Sequence, residues 1–183
     1  MEFIKCTYPA HADAILDIFN EAIVNSTALY DYQPRQPESM VSWFKAKEIG
    51  NFPVIGAIDQ FDCRRQTKGQ RLLGFATYGT FRNWPAYKYS IEHSVYVHPD
   101  RRRQGIGFAL MQQLILAATQ QQYHTMIGGI DMTNTSSIAM HEQLGFKHTG
   151  TIQHAGFKFG RWLDLGFYQL LLETPLEPVD GKQ

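Results

Sequence analysis

The chain of 183 residues contains only two cysteines, Cys6 and Cys63. They are far apart in the sequence, and neither has a metal-ligating partner beside it. Two isolated cysteines argue against a disulfide framework and against a zinc site. We therefore expect free thiols in a reducing cytoplasm and no bound metal.

The sequence also lacks an excess of either charge, because 17 basic residues balance 17 acidic ones. Without an overall field, the protein is not drawn to nucleic acid or to anionic membranes. No apolar run reaches the length of a membrane span, and residues 1–7 lack the apolar core of a signal peptide. These absences predict a cytoplasmic protein that binds neither nucleic acid nor membranes.

The pattern of apolar residues predicts one α+β domain over residues 1–174, followed by a loose tail over 175–183. No internal repeat or low-complexity tract interrupts it. The expected strands cover residues 3–8, 52–58, 72–81, 90–98, 125–131, 147–155 and 162–172, and the expected helices start near Pro9, Pro37, Gly107 and Asn134. In the second helix, we expect Met40, Val41, Phe44 and Ala46 to form the apolar face.

A glycine-containing loop, RRQGIG over residues 102–107, joins an expected strand to an expected helix. At a helix start the first backbone amides have no intrahelical partner and the helix dipole is positive, so a phosphate is attracted. Glycine keeps side chains out of the way, and Arg102 and Arg103 add positive charge. The loop therefore predicts an anion site.

Other interpretations of this loop are less well supported or remain open. A Walker loop needs Gly-Lys-Ser/Thr, which does not follow here. A dinucleotide fingerprint needs a third glycine where Leu110 stands, and Asp131 is a poor substitute for its ribose-binding acid. A glycine turn with solvated arginines is compatible with the loop taken by itself.

Two motifs together resemble the GNAT acetyltransferase family. Arg-x-x-Gly-x-Gly resembles its acetyl-CoA loop, and Asn134 to Phe146 resembles its Asn-x-x-x-x-x-x-Tyr-x-x-x-Gly-Phe segment. The resemblance implies the GNAT fold, a mixed and mostly antiparallel central sheet flanked by about four helices. It also implies which residues bind acetyl-CoA: Val95, Tyr96, Val97, Arg102, Arg103, Gln104, Gly105, Ile106, Gly107 and Asn134.

One departure narrows the resemblance to a branch of the family. His141 stands where the family motif has Tyr, and the segments 92–97 and 156–164 resemble the branch of phosphinothricin and methionine sulfoximine N-acetyltransferases. The agreement runs nearly end to end. The loop over residues 59–71, which is basic and looks longer than is usual in that branch, is an exception that leaves the chemistry untouched.

This branch implies acetyl transfer to the amino group of a small amino-acid-like substrate. We expect Glu92 to be the general base, acting through water, and His141 to be a second base or the acid that protonates the thiolate. His93 points away from Glu92 on an expected strand, so we assign it a structural role. The candidate substrate-binding residues are Tyr30, Arg82, Tyr87 and Lys158, with Phe81, Trp84 and Trp162 as possible walls.

Each of these residues also has a structural interpretation. Glu92 could be a carboxylate paired with a Lys or Arg, His141 a surface histidine, Asn134 a helix cap, and the aromatic residues core or interface. Two other functions also stay open: a protein N-terminal acetyltransferase and a non-catalytic acyl-CoA-binding module. The resemblance further implies a homodimer.

Overall fold

The structure is a computed structural model that describes residues 1–59 and 71–180. Most of the basic loop predicted over residues 59–71, including Cys63, lies outside the described residues. The strands are β1 (Glu2–Lys5), β2 (Val54–Ile58), β3 (Leu72–Thr80), β4 (Ser90–Val97), β5 (Thr125–Asp131), β6 (Lys147–Lys158) and β7 (Arg161–Leu171). The helices are α1 (Tyr8–Asn25), α2 (Ser39–Ile49), α3 (Ile106–Gln120) and α4 (Thr135–Gln143), and short 3₁₀ turns cover Pro85–Tyr87 and Pro99–Arg101.

The predicted order of helices and strands is confirmed, with one error in the packing of α2. Met40 and Phe44 are buried as expected, but Val41 is half-exposed and Ala46 is exposed. The prediction that Val41 and Ala46 belong to the apolar face is therefore wrong. Four apolar positions within a short helix did not by themselves show which side faced the core.

The seven strands form one sheet in the order β1-β2-β3-β4-β5-β7-β6. The pairs β1–β2, β2–β3, β5–β7 and β6–β7 are antiparallel, and β4–β5 is parallel. The predicted mixed, mostly antiparallel sheet is confirmed. The parallel ladder joins Ser90, Ile91 and Glu92 to Thr125, Met126 and Ile127.

The chain divides into two compact units. The first unit comprises residues 1–77 and 95–114. Its core is built around Phe19 on α1, whose ring makes edge-on contacts with Trp43, Phe75 and Tyr96 at centroid distances of 5.4, 5.0 and 5.2 Å. Cys6 is buried in this unit as a free thiol, and burial raises its pKa to about 12, so it stays protonated.

The second unit comprises residues 78–94 and the chain from residue 115 onward. Its core includes Ile91, Met126, Leu163 and Tyr168, each at most 2% exposed. The single domain over residues 1–174 stays a prediction. Of the tail predicted to be loose, residues 175–180 contain no helix or strand, and Val179 donates its backbone N–H to the Tyr89 hydroxyl at 3.1 Å. Among the described residues, no helix is long and apolar enough to cross a membrane.

Candidate active site

The glycine loop of the first unit forms an open helix start. Gly105 has φ +75°, a left-handed conformation that favours glycine, and its carbonyl accepts the Ala109 N–H at 3.0 Å. A Cβ at Gly105 would meet no heavy atom within 4 Å. The first turn of α3 therefore begins beside open space, which is what an anion bound by backbone amides requires.

The two loop arginines have different environments. Arg102 forms an ion pair with Glu21 of α1, and its Nε–H donates to the Val97 carbonyl at 3.4 Å. Arg103 is exposed and has φ +62°. The ion pair links the loop to α1 and partly neutralises the charge of Arg102. The side chain of Arg103 is exposed to solvent. Their roles in acetyl-CoA binding, with those of Gln104, Ile106 and Gly107, stay predictions.

Residues 95–97 lie at the end of β4, where Gly74 of β3 permits close packing. A Cβ on Gly74 would lie 2.7 Å from the Tyr96 carbonyl oxygen and 3.1 Å from the Val97 Cα. Just beyond the strand, His98 donates its backbone N–H to the Leu73 carbonyl at 2.8 Å. The backbone is therefore held firmly here, while the predicted binding of pantetheine by Val95, Tyr96 and Val97 stays untested.

Glu92 occupies the second unit at the last residue of the parallel ladder. The side chain is half-buried, and its Oε1 would lie 3.5 Å from a Cβ built on Gly129 of β5. Burial raises the pKa of Glu92, and the positive charge of Arg82 opposes that shift. A carboxylate with a raised pKa is a better proton acceptor than an exposed one, as a general base requires.

The opposite face carries a buried pair of histidines, His93 of β4 and His141 of α4. Their rings stack with centroids 4.9 Å apart and planes 19° apart, and the two Nε2 atoms lie 3.1 Å apart. The residues are 8% and 1% exposed. Burial lowers the pKa of both imidazoles, so both are neutral at neutral pH.

The glycines of β5 separate these two groups. A Cβ on Gly128 would lie 2.6 Å from His93 Nε2, whereas one on Gly129 would lie near Glu92. Successive residues of a strand point to opposite faces, so Glu92 and His141 lie on opposite faces of the sheet. The structure therefore does not bring the two predicted catalytic residues together, and their roles stay predictions.

Asn134 caps α4. Its Oδ1 accepts the Ser137 N–H at 3.2 Å and the Ser136 hydroxyl at 3.0 Å. This is the ordinary structural role of an asparagine at a helix start. Contact between Asn134 and the pantetheine arm stays a prediction.

Among the predicted substrate residues, Arg82 and Tyr87 form a group with Phe81. The Arg82 guanidinium lies 4.2 Å from the Phe81 ring centroid and donates to the Phe81 carbonyl at 2.8 Å. The Tyr87 ring meets Phe81 edge-on at 5.7 Å. The positive charge of Arg82 acts on the Glu92 carboxyl and lowers its pKa, against the effect of burial.

The remaining candidate substrate residues differ in burial. Tyr30 belongs to the first unit and is 39% exposed. Lys158 is buried at the end of β6, with its Nζ 5.0 Å from the Phe159 ring centroid. Trp84 and Trp162 are 74% and 58% exposed, which excludes the core packing considered for them.

Two features of the second unit escaped the sequence analysis. The partnership of His93 and His141 could have been suspected from Gly128-Gly129 within an expected strand, since glycine there often marks a close approach. The ion pair of Asp131 with Arg161, at 2.7 Å, had no local signal. No group of three or more His, Cys, Asp or Glu side chains suited to a metal occurs within residues 1–59 and 71–180.

Comparisons with known proteins agree with this architecture. The model of the acetyltransferase (GNAT) family matches residues 14–146. A solved protein of Acinetobacter baylyi ADP1 is 54% identical and superposes with a TM-score of 0.93, covering 98% of this chain and 96% of the other.

Two further relatives have named activities. The L-methionine sulfoximine/L-methionine sulfone acetyltransferase of Pseudomonas paraeruginosa is 38% identical over 90% of this chain and 91% of its own. A phosphinothricin acetyltransferase of Sinorhizobium meliloti, solved in complex with acetyl-CoA, is 32% identical with a TM-score of 0.88, covering 98% of this chain and 94% of the other. The chain belongs to the GNAT family of N-acetyltransferases.

Proposed function

We propose that the protein transfers an acetyl group from acetyl-CoA to the amino group of a small amino-acid-like substrate of the phosphinothricin or methionine sulfoximine type. The observation that carries this proposal is the half-buried Glu92, whose raised pKa the positive charge of Arg82 partly offsets. An amino acid presents an ammonium and a carboxylate a few ångströms apart. A carboxylate base and a guanidinium whose charge acts on it offer each of these groups an opposite charge.

Acetyl-CoA supplies a thioester whose acyl carbon an amine can attack. The open helix start at Gly105 fits its pyrophosphate, because a Cβ built there meets no heavy atom within 4 Å and backbone amides at a helix start attract phosphate. Arg102 to Gly107 would hold the pyrophosphate, and Val95 to Val97 with Asn134 would hold the pantetheine arm. No metal takes part in this scheme.

Acetylation of an ammonium needs two proton acceptors. As an ammonium becomes an amide, its nitrogen loses two protons while the C–N bond forms and the C–S bond breaks. One proton ends on the sulfur of CoA, and the other is released to solvent. Glu92 accepts the first proton, through water, and the buried pair of histidines that includes His141 provides the second site.

The substrate side chain needs hydrogen-bond donors for its sulfoximine or phosphinate oxygens. Arg82 binds the carboxylate, and the Tyr87 hydroxyl, the Lys158 ammonium and Tyr30 complete the binding residues. The neutral net charge agrees with a small substrate rather than a nucleic acid. We place the enzyme in the cytoplasm as a homodimer.

The test measures thiol release from acetyl-CoA with matched acceptors. Methionine sulfoximine, methionine sulfone and phosphinothricin are each compared with the corresponding amine that lacks the carboxylate. We expect release with the amino acids, and we expect Arg82→Gln to raise their KM while leaving that of the decarboxylated amines unchanged. An equal effect on both sets would contradict the role of Arg82.

The same assay separates the two other candidate functions. Release with a peptide N-terminus and with none of the small amines would identify a protein N-terminal acetyltransferase instead. Tight acetyl-CoA binding without release for any acceptor, unchanged in Glu92→Gln and His141→Ala, would identify a non-catalytic acyl-CoA-binding module.

A further inference from the structure

The buried histidine pair has four ring nitrogens, and three of them have partners. His141 Nδ1 lies 2.7 Å from the Ser137 carbonyl oxygen, and the two Nε2 atoms lie 3.1 Å apart. His93 Nδ1 is buried and has no hydrogen-bond partner among the described residues. Buried polar atoms are nearly always hydrogen-bonded, so this nitrogen is the one of the four that is available to a group other than the described residues.

These contacts determine where the protons lie. A carbonyl oxygen only accepts, so His141 Nδ1 carries a hydrogen and donates it to Ser137. In the neutral ring, His141 Nε2 is then an acceptor, and His93 Nε2 must supply the single hydrogen between the rings. The remaining nitrogen, His93 Nδ1, is an unprotonated acceptor.

The surroundings hold both rings in this arrangement. Gly128 leaves no room for a Cβ beside His93, and Phe146 packs edge-on against both rings at 5.4 and 5.1 Å. The ring centroid of Tyr168 of β7 lies 6.5 Å from that of His141. Burial raises the pKa of the Tyr168 hydroxyl, so this residue stays uncharged. Neither imidazole can therefore turn away without losing these contacts.

His141 cannot contact a substrate directly, because one ring nitrogen is hydrogen-bonded to Ser137 and the other to His93. We propose that His93 is a catalytic residue of this enzyme, that its buried Nδ1 exchanges a proton with the reacting groups through a water molecule, and that His141 is the positioning residue that holds the resulting charge. This inference rests on the proposed acetyl transfer.

The step balances within the pair. The acceptor nitrogen gives its second proton to the water, which passes a proton to His93 Nδ1 as the shared hydrogen moves from His93 Nε2 to His141 Nε2. His141 then becomes an imidazolium that donates to Ser137 and to His93. When the C–S bond breaks, the two transfers reverse, Nδ1 protonates the thiolate, and both rings end neutral. The lowered pKa values of both rings favour this delivery, because a thiolate is a stronger base.

The kinetic test compares His93→Gln, His141→Gln and the double variant. A glutamine amide at position 93 can still donate to His141 Nε2 but cannot pass a proton onward, so it preserves a structural contact while blocking transfer. We expect each single variant to lower kcat about 100-fold, with little change in the KM for acetyl-CoA, and the double variant to lose no more. His148→Gln, which changes an exposed histidine, should keep the parent rate.

Two outcomes would overturn the inference by kinetics. Parental kcat in His93→Gln alongside a loss in His141→Gln would show that His141 acts alone, and additive losses would show independent roles. If the parent itself releases no thiol with any amine, the proposed function fails as well, so the two failures are distinguishable.

A second measurement uses the unmodified protein and needs no turnover. Nitrogen-15 NMR of the imidazoles at neutral pH should show His141 protonated on Nδ1 and His93 protonated on Nε2, with an unprotonated His93 Nδ1. On lowering the pH, the pair should take up one proton before any second. A hydrogen on His93 Nδ1 at neutral pH would overturn the proposal even if His93 variants proved inactive or unfolded.

Discussion

Gly128 leaves the space that the imidazole of His93 occupies, since a Cβ at position 128 would lie 2.6 Å from His93 Nε2. The ring is held on its other side by a hydrogen bond to His141, so it cannot move away without breaking that bond. A glycine in the middle of β5 thus permits a histidine pair that links β4 to α4.

Gly128→Ala should disrupt this pair. We expect the free energy of unfolding to fall by about 1–3 kcal/mol, as for other overpacked cores, and kcat to fall with it. Gly129→Ala is the matched control, because its methyl would meet the flexible end of Leu165 at 3.1 Å instead of a fixed ring. Equal destabilisation of the two variants in urea unfolding would contradict the packing argument.

Glu92→Gln should lower kcat by about 10²–10⁴-fold, because it removes the proposed general base. In the parent, burial raises the pKa of Glu92, so kcat/KM should rise with pH as this carboxyl loses its proton above its usual range. The measurement is a pH profile of thiol release. A profile that Glu92→Gln leaves unchanged would remove Glu92 from the mechanism.

The same raised pKa predicts how Glu92 affects stability. A carboxyl whose folded pKa is raised favours the folded state below its unfolded pKa and loses that contribution as the pH rises through the folded value. Relative to the parent, Glu92→Gln should therefore gain free energy of unfolding as the pH rises from about 4, the value of an unfolded glutamate, and the gain should level off above the raised folded pKa. The control variant is Glu173→Gln, which makes the same substitution at an exposed position, and the measurement is urea unfolding of all three proteins across this pH range.

Comparing Gly105→Ala with Gly160→Ala distinguishes the stability cost of a positive φ from an effect on acetyl-CoA binding. The two glycines have φ +75° and +73°, and a Cβ at either position meets nothing within 4 Å. Each substitution should cost about 1 kcal/mol of stability from the left-handed conformation alone. Only Gly105→Ala should raise the KM for acetyl-CoA, and a similar rise in both would argue against the loop as the pyrophosphate site.

The ion pair between Asp131 and Arg161 is asymmetric. The Asp131 side chain is 1% exposed and that of Arg161 is 41% exposed. Arg161→Ala leaves a buried carboxylate without its cation, whereas Asp131→Asn leaves an arginine that can reach water. We expect the arginine variant to lose more stability, about 2–3 kcal/mol after allowance for solvent at the guanidinium. Thermal unfolding of both variants decides the order, and the reverse order would refute this account.

The order of elements was predictable because each helix and strand carries its own periodicity. The start of α3 was predictable for the same reason, since glycines at the end of an apolar strand identify a helix start before any contact is known. The helix cap of Asn134 and the wider family resemblance also follow from short segments. None of these inferences needs a contact between distant residues.

The partners of the site residues were not predictable in this way. Arg102 was expected to add positive charge to the loop, but it forms an ion pair with Glu21, 81 residues earlier, which partly neutralises that charge. His93 was assigned a structural role because its only visible feature was its position opposite Glu92. Its partner, His141, is 48 residues away.

By itself, therefore, the sequence determined the fold class, the family and the helix start suited to a phosphate, because these depend on local spacing and on short motifs. Tertiary structure alone decided which nitrogen of the histidine pair lacks a partner among the described residues, in which direction burial moves the pKa of Glu92, and which face each predicted catalytic residue occupies. Those properties arise from side chains that meet across the sheet, where burial removes water and leaves each polar atom dependent on its neighbours.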